Sequence, residues 1–83
     1  MTIREKLVDL LFQNGIFEND AKEIVQSYID CSMGQAMEGR WDDEVEGYPI
    51  ATISVLWAGT KAMALEWISK NCPSHWAKPL LES

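Results

Sequence analysis

The sequence predicts an all-α fold: a helical hairpin packed on a long apolar third helix, followed by a short helical C-terminal tail. Three observations carry this expectation. Apolar residues recur at helical spacing over residues 3–12 and again over residues 21–29. An Asn-Gly turn, Asn14-Gly15, separates the two stretches. The run from Ile50 to Lys70 carries only three charges, Lys61, Glu66 and Lys70. The chain has 83 residues, so one domain, 1–83, is expected. A domain of this size buries only about 60–65% of the surface its unfolded chain exposes, and every core residue counts.

The first helix is expected from Thr2 to Asn14. Thr2 is placed as an N-cap and Glu5, three residues on, completes a capping box. Ile3, Leu7, Leu10 and Leu11 form its apolar stripe, widened by Val8 and Phe12. Gly15 accepts the left-handed conformation that ends a helix, and Ile16 then packs back on Leu11. The second helix begins near Glu18. Glu18 and Asp20 suit the positive end of its dipole, and Asp20 with Glu23 has the spacing of a second capping box. Ala21, Ile24, Val25, Tyr28 and Ile29 make its inner face. Gly34 weakens this helix and Gly39 is its latest limit. An acidic, aromatic loop follows, Gly39 to Pro49, in which Asp42, Asp43, Glu44 and Glu46 crowd around Arg40. Pro49 suits the first turn of the third helix, which runs to Lys70 and is stopped by Asn71 and Pro73. A last turn of helix is expected near Ser74 to Lys78, held down by Trp76.

The third helix is apolar on nearly every side, and such a helix is normally enclosed. Ile50, Ile53, Trp57, Thr60, Ala64 and Trp67 step by alternating threes and fours, the spacing of a coiled-coil seam. Two short helices cannot cover every face. A homodimer is therefore expected, with that seam at the interface and the small residues Ala58, Gly59 and Ala62 letting a second backbone approach. The competing expectation is a monomer wrapped by its Trp-containing tail.

Charge narrows the function. Residues 1–48 hold 11 acids and 4 bases, a net −7; residues 49–83 hold 2 acids and 3 bases, a net +1. A chain of net −6 is repelled by phosphates, so no direct nucleic-acid binding is expected, and a would-be recognition helix with Glu18, Asp20, Glu23 and Asp30 against Lys22 is the wrong charge for DNA. The longest uncharged run, Gly47 to Thr60, is too short to span a membrane. Charged residues at positions 4, 5, 6 and 9 replace the apolar run of a secretory signal. A cytoplasmic protein is expected, with Cys31 and Cys72 as free thiols.

No enzyme activity is expected. The loop acids lack the order of a calcium loop, and Asp20 with Glu23 and Asp43 with Glu46 imitate only loosely the paired acids of a helical metal-dependent hydrolase. His75 is the single histidine, neither cysteine has a local base, and there is no phosphate loop, CxxC or HExxH. No metal or cofactor is expected. The interaction candidates are Trp41, Asp42, Asp43, Glu44, Glu46 and Tyr48. For Trp41 and Tyr48 two roles stay open: interface anchors, or aromatics folded inward to seal the core.

The pattern Gly39-Arg40-Trp41-Asp42-Asp43, Gly47-Tyr48-Pro49, Trp67-Ile68, Asn71, Pro73, Trp76 and Pro79 is similar to that of small uncharacterised proteins of tailed phages and prophages. The resemblance covers the C-terminal half or the whole chain and brings no catalytic residues. It implies an accessory protein made in a bacterial cytoplasm that acts by binding another protein. The expected function is thus a non-enzymatic protein–protein interaction or regulatory module. The alternative is an acidic nucleic-acid mimic that blocks a nuclease or DNA-binding protein.

Overall fold

Three helices, joined through a short Gly turn and an acidic loop, make up the computed structural model, which describes residues 1–30 and 39–71. Cys31, Gly34, Glu38 and Cys72, and the expected tail turn with His75 and Trp76, lie outside the described residues. Helix α1 is Ile3–Gln13, α2 is Glu18–Asp30 and α3 is Ile50–Asn71. Two 3₁₀ turns, Arg40–Asp42 and Val45–Gly47, lie in the loop before α3. All three helices contact one another. Among the described residues there is no strand, and a single antiparallel bridge pairs Thr2 with Glu44.

Both ends of α1 follow from local chemistry. The Thr2 hydroxyl accepts from the Glu5 N–H at 3.2 Å, and the Glu5 carboxylate accepts from the Thr2 N–H at 3.0 Å. At the far end Gly15 takes φ 96°. The Ile16 N–H donates to the Leu11 carbonyl at 3.1 Å and the Gly15 N–H to the Phe12 carbonyl at 3.0 Å, the two bonds of a Schellman stop. Ile16 is thereby turned into the core beside Leu11. The second expected capping box is displaced. Asp20 lies inside the first turn of α2, because the helix starts at Glu18 and its first bond runs from the Ala21 N–H to the Phe17 carbonyl at 2.8 Å.

The core is built from one stripe per helix. Ile3, Leu7 and Leu11 come from α1, and Ala21, Ile24, Val25 and Tyr28 from α2. Leu56, Thr60, Ala64 and Ile68 of α3, spaced by four, close it. Thr60 is a polar residue at a fully buried position. Its hydroxyl donates to the Leu56 carbonyl at 2.8 Å, so no donor is stranded. At Gly59 α3 lies close against Tyr28 of α2: a Cβ there would lie 2.8 Å from both Cε2 and Cζ of Tyr28. The absent side chain is what admits the ring.

The expected dimer seam is the face the chain's own hairpin takes. Thr60 and Ala64 are fully buried. Ile53, Trp57 and Trp67 are half-buried and pack against the core, and only Ile50, 86% exposed, lies open. Gly59 likewise serves an internal contact rather than the approach of a second backbone. Leu56, Thr60, Ala64 and Ile68 fill the space under the hairpin, and Ala51, Ala58 and Ala62 are left outside.

Candidate functional site

Two surfaces are candidates for a functional site, the acidic loop and the outer face of α3. The loop is anchored from within by Trp41, 2% exposed, whose ring meets Tyr28 edge to face at 5.7 Å between centroids. Two backbone bonds then tie the loop to the start of α1: the Ile3 N–H donates to the Asp43 carbonyl at 3.2 Å and the Val45 N–H to the Met1 carbonyl at 3.0 Å. Of the two roles open to Trp41, the geometry selects the inward one.

The loop carboxylates face partners on the same chain. The Met1 amine holds Glu44 at 2.7 Å, Arg4 holds Asp42 at 3.2 Å, and Arg40 holds Asp43 at 3.2 Å. Arg4 also donates to Gln26 at 2.7 Å, so one guanidinium links α1, α2 and the loop. Tyr48 donates its hydroxyl to Asp43 at 3.1 Å, and the Arg40 guanidinium lies over its ring at 5.3 Å. Glu46 is exposed. The Glu44 hydrogen bond raises the pKa of the Met1 amine, and partial burial followed by the bond to Asp43 raises that of the Tyr48 hydroxyl. Exposed ion pairs of this kind contribute about 0–1 kcal/mol each. Their effect is to orient the loop rather than to stabilise the fold strongly.

The arrangement offers little acid–base chemistry. Among the described residues no three His, Cys, Asp or Glu side chains stand together as a metal-binding group. Asp43, half of one loosely spaced acid pair, is held by Arg40 and Tyr48. No acid stands in the first turn of α3, and Glu44 and Asp42 pair with the Met1 amine and Arg4 near the start of α1.

The outer face of α3 differs in kind. Ala51, Val55, Ala58 and Ala62 are exposed and Leu65 is half-buried, and they succeed one another at intervals of four, three, four and three. Ile50 and Val55 are among the large apolar side chains left in water. Sequence reasoning named Ala58 and Ala62 as points of close approach but placed the seam itself on a second, bulkier series at similar spacing along the opposite side. The signal was present: the same heptad interval, with alanine in place of Trp and Ile. Among the described residues no helix is long and apolar enough to cross a membrane. No family model, curated protein or solved structure matches this chain.

Proposed function

We propose that the protein is a non-enzymatic protein–protein interaction module, homodimeric, acting as a phage-type accessory protein in a bacterial cytoplasm. One observation carries the proposal: α3 leaves Ala51, Val55, Ala58 and Ala62, an uncharged stripe continued by the half-buried Leu65, open to solvent on an otherwise acidic protein. Apolar surface of this kind is costly in water and marks a contact site. The acidic-mimic alternative has less support, since Asp42, Asp43 and Glu44 are each paired within the chain.

The test is capture from a bacterial lysate on immobilised protein, comparing wild type with Val55→Glu and Glu46→Lys. Both positions are exposed, so helicity and melting temperature should be kept. Bound protein lost with Val55→Glu and retained with Glu46→Lys is the expected result. Capture that survives Val55→Glu but is lost with Glu46→Lys and in salt points instead to the acidic loop.

A further inference from the structure

We infer that the groove along the outside of the α1–α2 hairpin receives a basic amphipathic helix of another protein. This goes beyond the interaction reading, which rests on the α3 stripe, and the two surfaces share no residue. Arg4, Val8 and Phe12 recur by four along α1, as do Glu18, Lys22 and Gln26 along α2. The bond from Arg4 to Gln26 ties the two rows together. Between them lies a groove of about 650 Å³. Arg4 to Phe12 spans about 12 Å of α1, which accommodates about two turns of a docked helix. Its apolar content is in water: Met1 is 53% exposed and Phe12 57%, with Val8 half-buried between them. Among the described residues no strand offers an edge to an extended peptide, whereas a helix brings its backbone hydrogen bonds with it.

Charge selects the sign of the partner. The bases of the groove are each tied to an acid: the Met1 amine to Glu44 at 2.7 Å, Arg4 to Asp42 at 3.2 Å and Lys22 to Glu18 at 3.7 Å. Asp42 and Glu44 lie in the loop, outside the groove. Glu5 and Asp9 are left over on the α1 rim. Glu5 accepts from the Thr2 N–H at 3.0 Å and Asp9 from the Gln13 side chain at 2.6 Å, and among the described residues neither has an ion-pair partner. The Met1 amine acts on Glu5 only at longer range. Placed at i and i+4, the two carboxylates repel each other, and a cation from outside relieves that repulsion. An apolar floor beside this acidic rim is complementary to a helix with Leu-type side chains on one face and Lys or Arg at its edge. A second copy of this chain, at net −6, is repelled instead.

Fluorescence anisotropy tests the inference with three labelled synthetic peptides, titrated with protein from about 1 μM to about 1 mM. One is a Leu/Lys sequence of helical period, one the same composition scrambled, and one a Leu/Glu sequence of helical period. The Leu/Lys helix should bind, and the other two should bind at least about tenfold more weakly. Glu5→Gln with Asp9→Asn should weaken the Leu/Lys helix about tenfold, while glutamine preserves the capping box. Phe12→Ala should weaken it by about the same factor. Asp20→Asn with Glu23→Gln removes as much charge from outside the groove and should leave binding within about twofold of wild type. Circular dichroism should show all variants folded. A Leu/Lys helix that does not bind, or binds no better than its scrambled form, overturns the inference. So does an equal loss from the Asp20 and Glu23 pair, which would reduce the effect to net charge. Loss with Val55→Glu in place of Phe12→Ala also overturns the groove, yet leaves the interaction reading on α3 standing.

Discussion

Gly59→Ala is the substitution in which two opposed effects can be weighed from the geometry. Alanine in a helix interior is favoured over glycine by about 0.8–1 kcal/mol. At an unconstrained position the change would stabilise. Here the new Cβ would stand 2.8 Å from Cε2 and Cζ of Tyr28, with the ring hydroxyl nearer still. Carbon atoms pack at about 3.5–4.0 Å, so the ring must withdraw by close to 1 Å. It has little room: Tyr28 is 2% exposed and braced edge-on against Trp41. Overpacking of this sort costs about 1–3 kcal/mol, and two ring carbons and the hydroxyl oxygen are struck at once. The net expectation is a loss of up to about 2 kcal/mol after the propensity gain is subtracted. For 83 residues a loss of about 2 kcal/mol lowers the melting temperature by about 8–16 °C. Urea titration followed by circular dichroism measures it, at a chain concentration that keeps the protein monomeric. The same change in a Tyr28→Leu background should reverse sign, because the slimmer side chain vacates the space. A Gly59→Ala protein more stable than wild type would refute the close approach of α2 and α3 described here.

Two further predictions concern the loop and the first helix. Trp41→Ala should cost about 3–5 kcal/mol with unchanged m-value, as expected for a buried aromatic; a loss below about 1 kcal/mol in urea titration would return Trp41 to the surface. Thr2→Ala should lose about 1 kcal/mol near neutral pH through the missing cap. It should also flatten the acid limb of the stability curve. The Thr2 N–H and hydroxyl hold the Glu5 pKa below its ordinary value of 4.5. A carboxylate with a depressed folded pKa adds stability above the unfolded value, and loses it as pH falls through the folded one. Unfolding of both proteins at a series of pH values from neutrality to well below 4.5 shows whether the slope depends on Thr2.

Much of the hairpin was legible because its signals are local. The capping box needs only Thr2 and Glu5, and the Schellman stop only Leu11, Phe12, Gly15 and Ile16. The same holds for the partition of each helix into an inner and an outer face, since the period of α1 and α2 is read from residues three and four apart. What escaped was long-range. Nothing adjacent to Arg4 announces that Asp42 and Gln26 will converge on it. That the loop acids turn toward the start of α1 rather than the start of α3 depends on Trp41 anchoring the loop against Tyr28. The inner face of α3 was misassigned for a related reason. A helix apolar on nearly all sides offers periodicity two solutions, and only the hairpin's choice of Leu56, Thr60, Ala64 and Ile68 separates core from surface.

That choice bears on what the protein does. The hairpin selects the face of α3 with the larger side chains, because burying Leu56 and Ile68 removes more apolar area from water than burying Ala58 and Ala62 would. Gly59 then lies beside the buried stripe and admits Tyr28, which in turn supports Trp41 and the loop. The stripe of Ala51, Val55, Ala58, Ala62 and the half-buried Leu65 is uncharged and spaced by the heptad. A stripe of alanines contributes little hydrophobic stabilisation by area, and its advantage lies in shape: it is a shallow track along which another helix can lie close. Meanwhile the loop acids are gathered near the start of α1, and the outer face of α3 keeps a single acid, Glu66, near its end. One division of the chain thus produces both properties. The hairpin and loop hold most of the negative charge, and α3 keeps a face that carries little of it.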